Sequence, residues 1–408
     1  MNRRGIFSLL LGAAAFAAGL SSTTFGSMAQ DIVGVTDTEI RIGQTSPYSG
    51  PLSFLGANGQ GDVAFFKWVN DEGGINGRKV NLISLDNGYS PPKTLEQTRK
   101  LVEQDEVAFM YRSLGTGPNM AIAKYLNERK VPNIFLAAGV AQLFQPAETP
   151  WLLPYNVRYI DEGRIAAKYI LKTKPDAKVA VLYQNDDLGG DFLEGLKEGL
   201  GDKADAMIVR TATFEVTDPS VDSQVISLAE TKADILYMAT SANRPITQSI
   251  RKSSELGWKP TYMIPSLANV VDVVLKPAGL EKAVGAITFG FLKNPAEPMW
   301  KDDPEVVAMS GWMDKYLPGA DKTNPFYHHA FYVGSMLKHV LEKAGNDLTR
   351  ENILKQATGI TGMRFPLLLP GITVNLTPED YRSITQLQVF EFDGASWQPV
   401  GDVVSAND

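Results

Sequence analysis

The sequence predicts a doubly wound α/β protein built as two similar lobes. Three observations carry that prediction. Apolar strand-like runs alternate with amphipathic helix-like runs through most of the chain. The alternation occurs twice, over roughly 39–140 and roughly 160–290, and the stretch "ETPWLLPYNVRY" between them breaks both periodicities with prolines and aromatic residues. Strand runs such as Ile134–Ala138 and Val179–Tyr183 are apolar throughout, as suits sheets covered on both faces.

In chain order, "EIRIGQTSP" (Glu39–Pro47) alternates apolar and polar residues and stops at Pro47, as a strand does. "DVAFFKWVNDEGGINGRK" places Val63, Phe66 and Val69 about one turn apart and ends at Gly73-Gly74, an amphipathic helix with a glycine terminator. "KVNLISLDN" is a strand. "PPKTLEQTRKLVEQ" opens with proline at a helix N-terminus and carries Leu95, Leu101 and Val102 on one face. "EVAFMYR", "MAIAKYLNERK" and "VPNIFLAAG" read as strand, helix and strand.

The second run repeats the order. "EGRIAAKYILKT", "GGDFLEGLKEGL", "SVDSQVISLAET" and "PITQSIRKSSEL" are helices, and "KVAVLYQND", "AMIVRTATF", "ADILYMAT" and "TYMIPS" are the strands between them. A helical stretch follows from Pro304 to Gly359, then a strand near Gln388–Phe392. Two lobes with a cleft between their sheets follow, and ligands of such sheets sit beyond the carboxyl ends of the strands.

Composition narrows the function. The chain has 408 residues, 44% hydrophobic and 21% charged, enough for two ordinary cores. The net charge of −7 and the lack of a basic block argue against nucleic acid as a partner. No cysteine occurs, so disulfides, a thiol nucleophile and a lipoprotein cleavage site are excluded. Arg3 and Arg4, an apolar run from Ile6 to Leu20 and the small-residue site Ser27-Met28-Ala29 read as a secretory signal over 1–29, cleaved before Gln30. The expected product is a periplasmic protein with no membrane span.

Motifs that could carry chemistry are sparse. "YRSLGTGPN" (Tyr111–Asn119) has glycines two apart but neither the phosphate-loop lysine nor the full dinucleotide spacing. A strand ends near Arg112 and a helix begins near Pro118, so Ser113, Leu114, Gly115 and Thr116 either hold an anion at the helix start or only turn the chain. "TSPYSGPLSFLGANGQG" puts Tyr48, Phe54 and Leu55 either in the same cleft or in the core. Ala137-Ala138-Gly139 either leaves room at a strand end or packs a helix. His328, His329 and His339 share one helix without metal-ligand spacing. His328 or His329 could reach the cleft or simply pack. "NDD" (Asn185–Asp187) is a carboxylate pair or a helix cap, and no nucleophile elbow G-x-S-x-G occurs. Neither an enzyme site nor a cofactor or metal is expected.

The combined pattern resembles the periplasmic solute-binding proteins of ABC transporters, in the branched-chain amino-acid (Leu/Ile/Val-binding) family. The matching pieces are "IRIGQTSPYSGPLSFLG", "WVNDEGGINGRKVNLISLDN", "PPKTLEQTRKLVEQDEVAFMY", "YLNERKVPNIF", "AAKYI" and "GNDLTRENILKQA". The resemblance implies a type I periplasmic binding protein, with two Rossmann-like lobes joined by a hinge of three crossings near 156, 288 and 368. Lobe 1 would take 30–156 and 289–368, and lobe 2 would take 157–288 and 369–408. It also implies hinge closure on a ligand without chemistry, then docking on an inner-membrane permease, most simply as a monomer.

Residue by residue, "SLGTG" matches the family's carboxylate-binding loop and Ala138-Gly139 its next strand end, with Val140 where a threonine is usual. Amino-acid binders place a glutamate where this chain has Ser266, and an aromatic where it has Ser241. A buried ammonium without a carboxylate is costly, so an anion without an amine is expected. Arg158 and Arg244 are candidates to pair with it, and Tyr159, Phe326 and His328 to line the cleft. "PWLLPYNVRYIDEGRIAAKYI" and "NPFYHHAFYVGSMLKHVLEKAG" resemble the subgroup that takes up benzoate, hydroxybenzoate or hydroxycinnamate derivatives from plant matter. A branched-chain amino acid, an amide, or a sensory role with a separate receptor remain the alternatives.

Overall fold

The computed structural model describes residues 32–50 and 52–407, and the signal-peptide expectation lies outside them. Five parallel strands form the first sheet, in the order β2-β1-β3-β4-β5: β1 Glu39–Ser46, β2 Lys79–Asp86, β3 Phe109–Tyr111, β4 Asn133–Leu136 and β5 Leu152–Pro154. Between them run α1 Ala57–Asp71, α2 Pro91–Glu103 and α3 Thr116–Arg129. β3 and β4 are wholly buried, as their apolar runs required, with Asn133 of β4 the one polar residue among them.

The second sheet has the order β12-β11-β10-β9-β8-β6-β7. Its strands are β6 Val179–Gln184, β7 Ile208–Phe214, β8 Ile235–Ala239, β9 Thr261–Ile264, β10 Ile287–Gly290, β11 Gln386–Phe392 and β12 Trp397–Ser405. β11 runs antiparallel to both its neighbours, β10 and β12, and the other pairings are parallel. Its helices are α4 Tyr159–Thr173, α5 Asp187–Leu200, the short α6 Ala204–Met207, α7 Asp222–Ala229, α8 Asn243–Glu255 and the single turn α9 Lys276–Ala278. α10 Pro304–Tyr316, α11 Pro325–Ala344 and α12 Arg350–Ala357 follow, each capped by a side chain: Asp303, Asn324 and Thr349.

The chain passes between sheets three times. It leaves the first after Pro154 and enters α4 at Tyr159. After Gly290 it returns, because α10 and α11 pack on α1 and Arg350 donates to the Ala108 carbonyl at 2.7 Å. It re-enters the second sheet at Gln386. The passages are tied to one another: Lys293 N–H to the Leu367 carbonyl at 2.7 Å, Leu369 N–H to Phe291 at 2.9 Å, and Ser383 Oγ to Tyr155 at 2.8 Å.

Several expectations change. α1 starts at Ala57, and Val63, expected on its inward face, is 45% exposed. Phe65 takes the inward place, packed edge-on to Phe331 at 6.0 Å and covered by Gly334. The helical stretch 304–359 is three helices. β5, β10 and β12 were not read from the sequence. β5 hides in a proline-bounded trio, and β12 contains Pro399 and Gly401, tolerated because it is an edge strand.

Candidate functional site

The loop after β3 stands at the carboxyl edge of the first sheet. Arg112 has φ 46° and Gly115 φ 109°, so the chain turns sharply from strand to helix. Gly115 is required twice: its φ suits glycine, and a Cβ there would stand 2.7 Å from the Tyr89 ring. Two of the backbone donors expected to cradle an anion are committed elsewhere. Leu114 N–H donates to Thr45 at 3.4 Å and Gly115 N–H to Ala137 at 3.0 Å, so both serve neighbouring strands. What remains is the Ser113 hydroxyl, buried without a protein partner, and Thr116, whose Oγ1 is 3.4 Å from the Tyr159 hydroxyl.

The opposite wall begins at the first passage. Tyr159 N–H donates to the Gly139 carbonyl at 2.8 Å. A Cβ on Gly139 would stand 2.4 Å from both the Val157 carbonyl oxygen and the Tyr159 ring, so only glycine admits this approach. Tyr159 stacks on Phe192 of α5 at 5.1 Å. Burial pushes the Tyr159 hydroxyl up to about 12, and burial also raises Tyr89. Beside them Ala141 N–H donates to the Asp191 carboxylate of α5 at 2.6 Å, and burial pushes Asp191 up to about 6. Gln184 bonds Asp186 and accepts from Thr240 at 3.0 Å, closing the edge of the second sheet.

Below the loop lies a polar chain that the sequence reading missed. The Tyr48 hydroxyl is 2.6 Å from Ser84 Oγ, which donates to Gln44 Oε1 at 2.9 Å. Gln44 Nε2 donates to Asp62 at 2.6 Å, and Arg112 Nη1 donates to the other Asp62 oxygen at 2.6 Å. Both ions are 0% exposed. Burial works against the Arg112 charge, but the Asp62 carboxylate outweighs it and lifts its pKa. The guanidinium also lies 5.4 Å from the Tyr155 ring at the first passage. No spacing rule links Asp62 to Arg112, fifty residues apart; only the fold does.

Of the residues named from the sequence, Tyr48, Ser113, Leu114, Gly115, Thr116, Gly139 and Tyr159 gather at the carboxyl edge of the first sheet. Ala138 is fully buried there. Others are differently used. Phe54 is 50% exposed, and Leu55 packs half-buried against the core. Arg158 is held by Asp161 in two bonds of 3.1 and 2.7 Å, an i,i+3 pair visible in the sequence. Arg244 is exposed and donates to the Asp218 and Val216 carbonyls. His328 turns back to the Lys322 carbonyl at 2.7 Å, and burial lowers it to about 4. His329, instead, lies against Tyr155 and Phe291, each 5.7 Å away, and burial holds it well below the ordinary histidine value. Phe326 packs half-buried, and Ser241 is half-buried after β8.

Ser266, after β9, has an unforeseen partner. Its N–H and its hydroxyl both donate to Glu162 of α4, at 2.7 and 2.6 Å. Glu162 is 2% exposed, and burial pushes it up to about 7. A carboxylate therefore does stand beside Ser266, supplied by a distant helix. Among the described residues no group of three His, Asp or Glu could hold a metal, and no helix is long and apolar enough to cross a membrane. A cavity of about 270 Å³ lined by Tyr169, Lys174, Thr261 and Glu391 opens at the other, amino-terminal edge of the second sheet, away from these loops.

A family model described as "Periplasmic binding protein" matches residues 39–396. The "Leu/Ile/Val-binding protein homolog 7" of Brucella abortus is 23% identical over 240 residues, 55% of this chain; the match spans only 58% of that relative's length. Among solved structures, a branched-chain amino-acid ABC transporter protein from Thermus thermophilus with bound valine aligns at TM-score 0.79 and 16% identity, over 91% of this chain and 97% of that one. A solute-binding protein of an ABC transporter from Rhodopseudomonas palustris BisB5, in complex with 3,4-dihydroxybenzoic acid, aligns at TM-score 0.72 and 17% identity, over 90% and 98%. At these identities the likeness is one of fold.

Proposed function

The chain belongs to the periplasmic binding protein family, and from that membership we propose that it captures a small aromatic carboxylate between its lobes and hands it unchanged to an ABC permease. One observation carries the ligand class. The buried Ser113 hydroxyl stands without a protein partner just before α3, in the loop whose Gly115 abuts the Tyr89 ring and whose Thr116 lies beside the Tyr159 hydroxyl. A helix start favours an anion, and aromatic walls add about 0.5–1.5 kcal/mol per ring pair beyond area burial. Ser113 and Thr116 would hold the carboxylate, and Tyr48, Tyr89 and Tyr159 would flank the ring. The dihydroxybenzoate complex of a structural relative supports the same class.

In this reading the three passages between sheets act as the hinge, residues 1–29 direct export to the periplasm, and the protein works as a monomer. A second reading has its own observation. Glu162, buried beside Ser266, could meet the ammonium of an amino acid.

A thermal-shift screen separates them. 4-Hydroxybenzoate or 4-coumarate is expected to raise the melting temperature, with about 2.7 kcal/mol gained at 100 times Kd. Stabilisation by leucine alone would replace the aromatic ligand with an amino acid.

A further inference from the structure

We propose that Ser266 acts toward the cleft as a hydrogen-bond acceptor only, so that it selects ligands presenting an O–H or N–H donor, and that Glu162 is the positioning residue that fixes this role. The proposal rests on the reading that the ligand sits beyond the carboxyl ends of the strands. Ser266 stands two residues after the end of β9, at the same edge of the second sheet as Gln184 and Thr240. It is half-buried rather than enclosed.

A serine hydroxyl has one proton and two lone pairs. The proton goes to Glu162 Oε2 at 2.6 Å, while Glu162 Oε1 takes the Ser266 N–H at 2.7 Å. An ionised carboxylate can only accept. Both Ser266 donors are therefore spent inward, and only lone pairs of Oγ remain for a ligand.

Among the described residues Ser266 supplies both hydrogen bonds to the Glu162 carboxylate. No salt bridge reaches Glu162 among the described residues, and its neighbour Asp161 is paired with Arg158, Arg164 and Arg382. Tyr237 on β8 faces Glu162, whose charge adds to burial in raising the tyrosine, and its hydroxyl is buried without a partner. α4 also carries Tyr159, one turn before Glu162, so the same helix sets the wall at Thr116 and the acceptor at Ser266.

The donor could be a phenolic hydroxyl or an ammonium, and two ligand pairs tell them apart. Isothermal titration at pH 8 would compare 4-hydroxybenzoate with benzoate, and leucine with 4-methylpentanoate, on the wild type, Ser266→Ala and Glu162→Gln. The donor-bearing member of whichever pair binds is expected to be about tenfold tighter on the wild type. Both variants are expected to bring that ratio to about threefold or less. Ser266→Ala removes the acceptor, and the amide introduced by Glu162→Gln can donate and lets the serine proton turn outward. A purely structural role would weaken both members of a pair alike and leave the ratio unchanged.

Lowering the wild type to pH 5.5 is expected to shrink the ratio too, since a protonated Glu162 can itself donate to Ser266. Equal affinities within the binding pair, or an unchanged ratio in Ser266→Ala, overturn the assignment. Ser266→Ala decides alone if Glu162→Gln does not fold. Binding of the leucine pair only ends the aromatic-acid reading while Ser266 is still judged on that pair. Binding of neither pair at millimolar concentration ends both.

Discussion

Gly139 shows how little room the candidate site leaves for a changed atom, and Thr116 tests whether a hydroxyl there is used. A methyl group on Gly139 would meet the Val157 carbonyl oxygen, which is backbone and cannot swing away. Gly139→Ala is expected to shift the first passage and weaken ligand binding or folding by about 1–3 kcal/mol. Calorimetric Kd and melting temperature measure both, and wild-type values for each would refute the close approach. Thr116→Val removes the hydroxyl near Tyr159 and is expected to weaken binding by roughly 1 kcal/mol, about fivefold in Kd. Unchanged Kd would take Thr116 out of the site. The sequence named both residues, since small and hydroxyl-bearing residues at strand ends are visible there. It did not give the protein partners of Arg158 and Arg244, Asp161 and the Asp218 carbonyl, because an arginine's partner depends on what the fold brings within reach. Arg112 was overlooked for the same reason: its buried partner Asp62 lies on another element.

At the level of elements, the second and third passages are clamped by charge. Glu305, at the start of α10, accepts from Arg364, from Lys293 Nζ at 3.0 Å and from the Leu367 N–H at 3.0 Å. The Arg364 bonds, then Lys293 and Leu367, hold Glu305 down to about 2 against burial. A carboxyl held below its unfolded value stabilises the fold above that value, near 4.5, and stops doing so as pH falls toward 2. Glu305→Gln is therefore expected to lower the melting temperature at pH 7, and the gap to the wild type should narrow steadily as pH falls from 5 toward 2. A constant gap over that range would show that the charge plays no part. The same elements illustrate legibility. Capping residues such as Asn324 before Pro325 mark α11 in the sequence. The breaks inside 304–359 were harder to place, because apolar residues recur at helical spacing across them.

Across the whole molecule, the bond from Ala141 to Asp191 joins an element of the first sheet's half to one of the second's. Burial raises Asp191 to about 6, helped by Asp187 and Glu194 and opposed by the Ala141 N–H and Arg158. If opening the lobes returns Asp191 to water, its contribution to the closed form is complete below the ordinary value of 3.8 and lost as pH rises through about 6. Affinity should then tighten as pH falls from 8 to 5, and Asp191→Asn should flatten that slope. A slope that persists in Asp191→Asn would assign the linkage to another group. His328 and His329 add no charge change in that window, since burial keeps both neutral.

The sequence by itself determined the layer architecture, the doubled strand–helix alternation and the loop at Ser113–Thr116, because periodicity and glycine placement are local properties of the chain. Tertiary structure alone decided which polar groups meet. The pairs Asp62–Arg112, Glu162–Ser266 and Asp191–Ala141 are separated by fifty, one hundred and four, and fifty residues. Each joins groups on different elements at 2.6 Å, and no spacing rule reaches that far. The physical reason is that burial sets the energy of a charge, and burial is a property of the packed molecule.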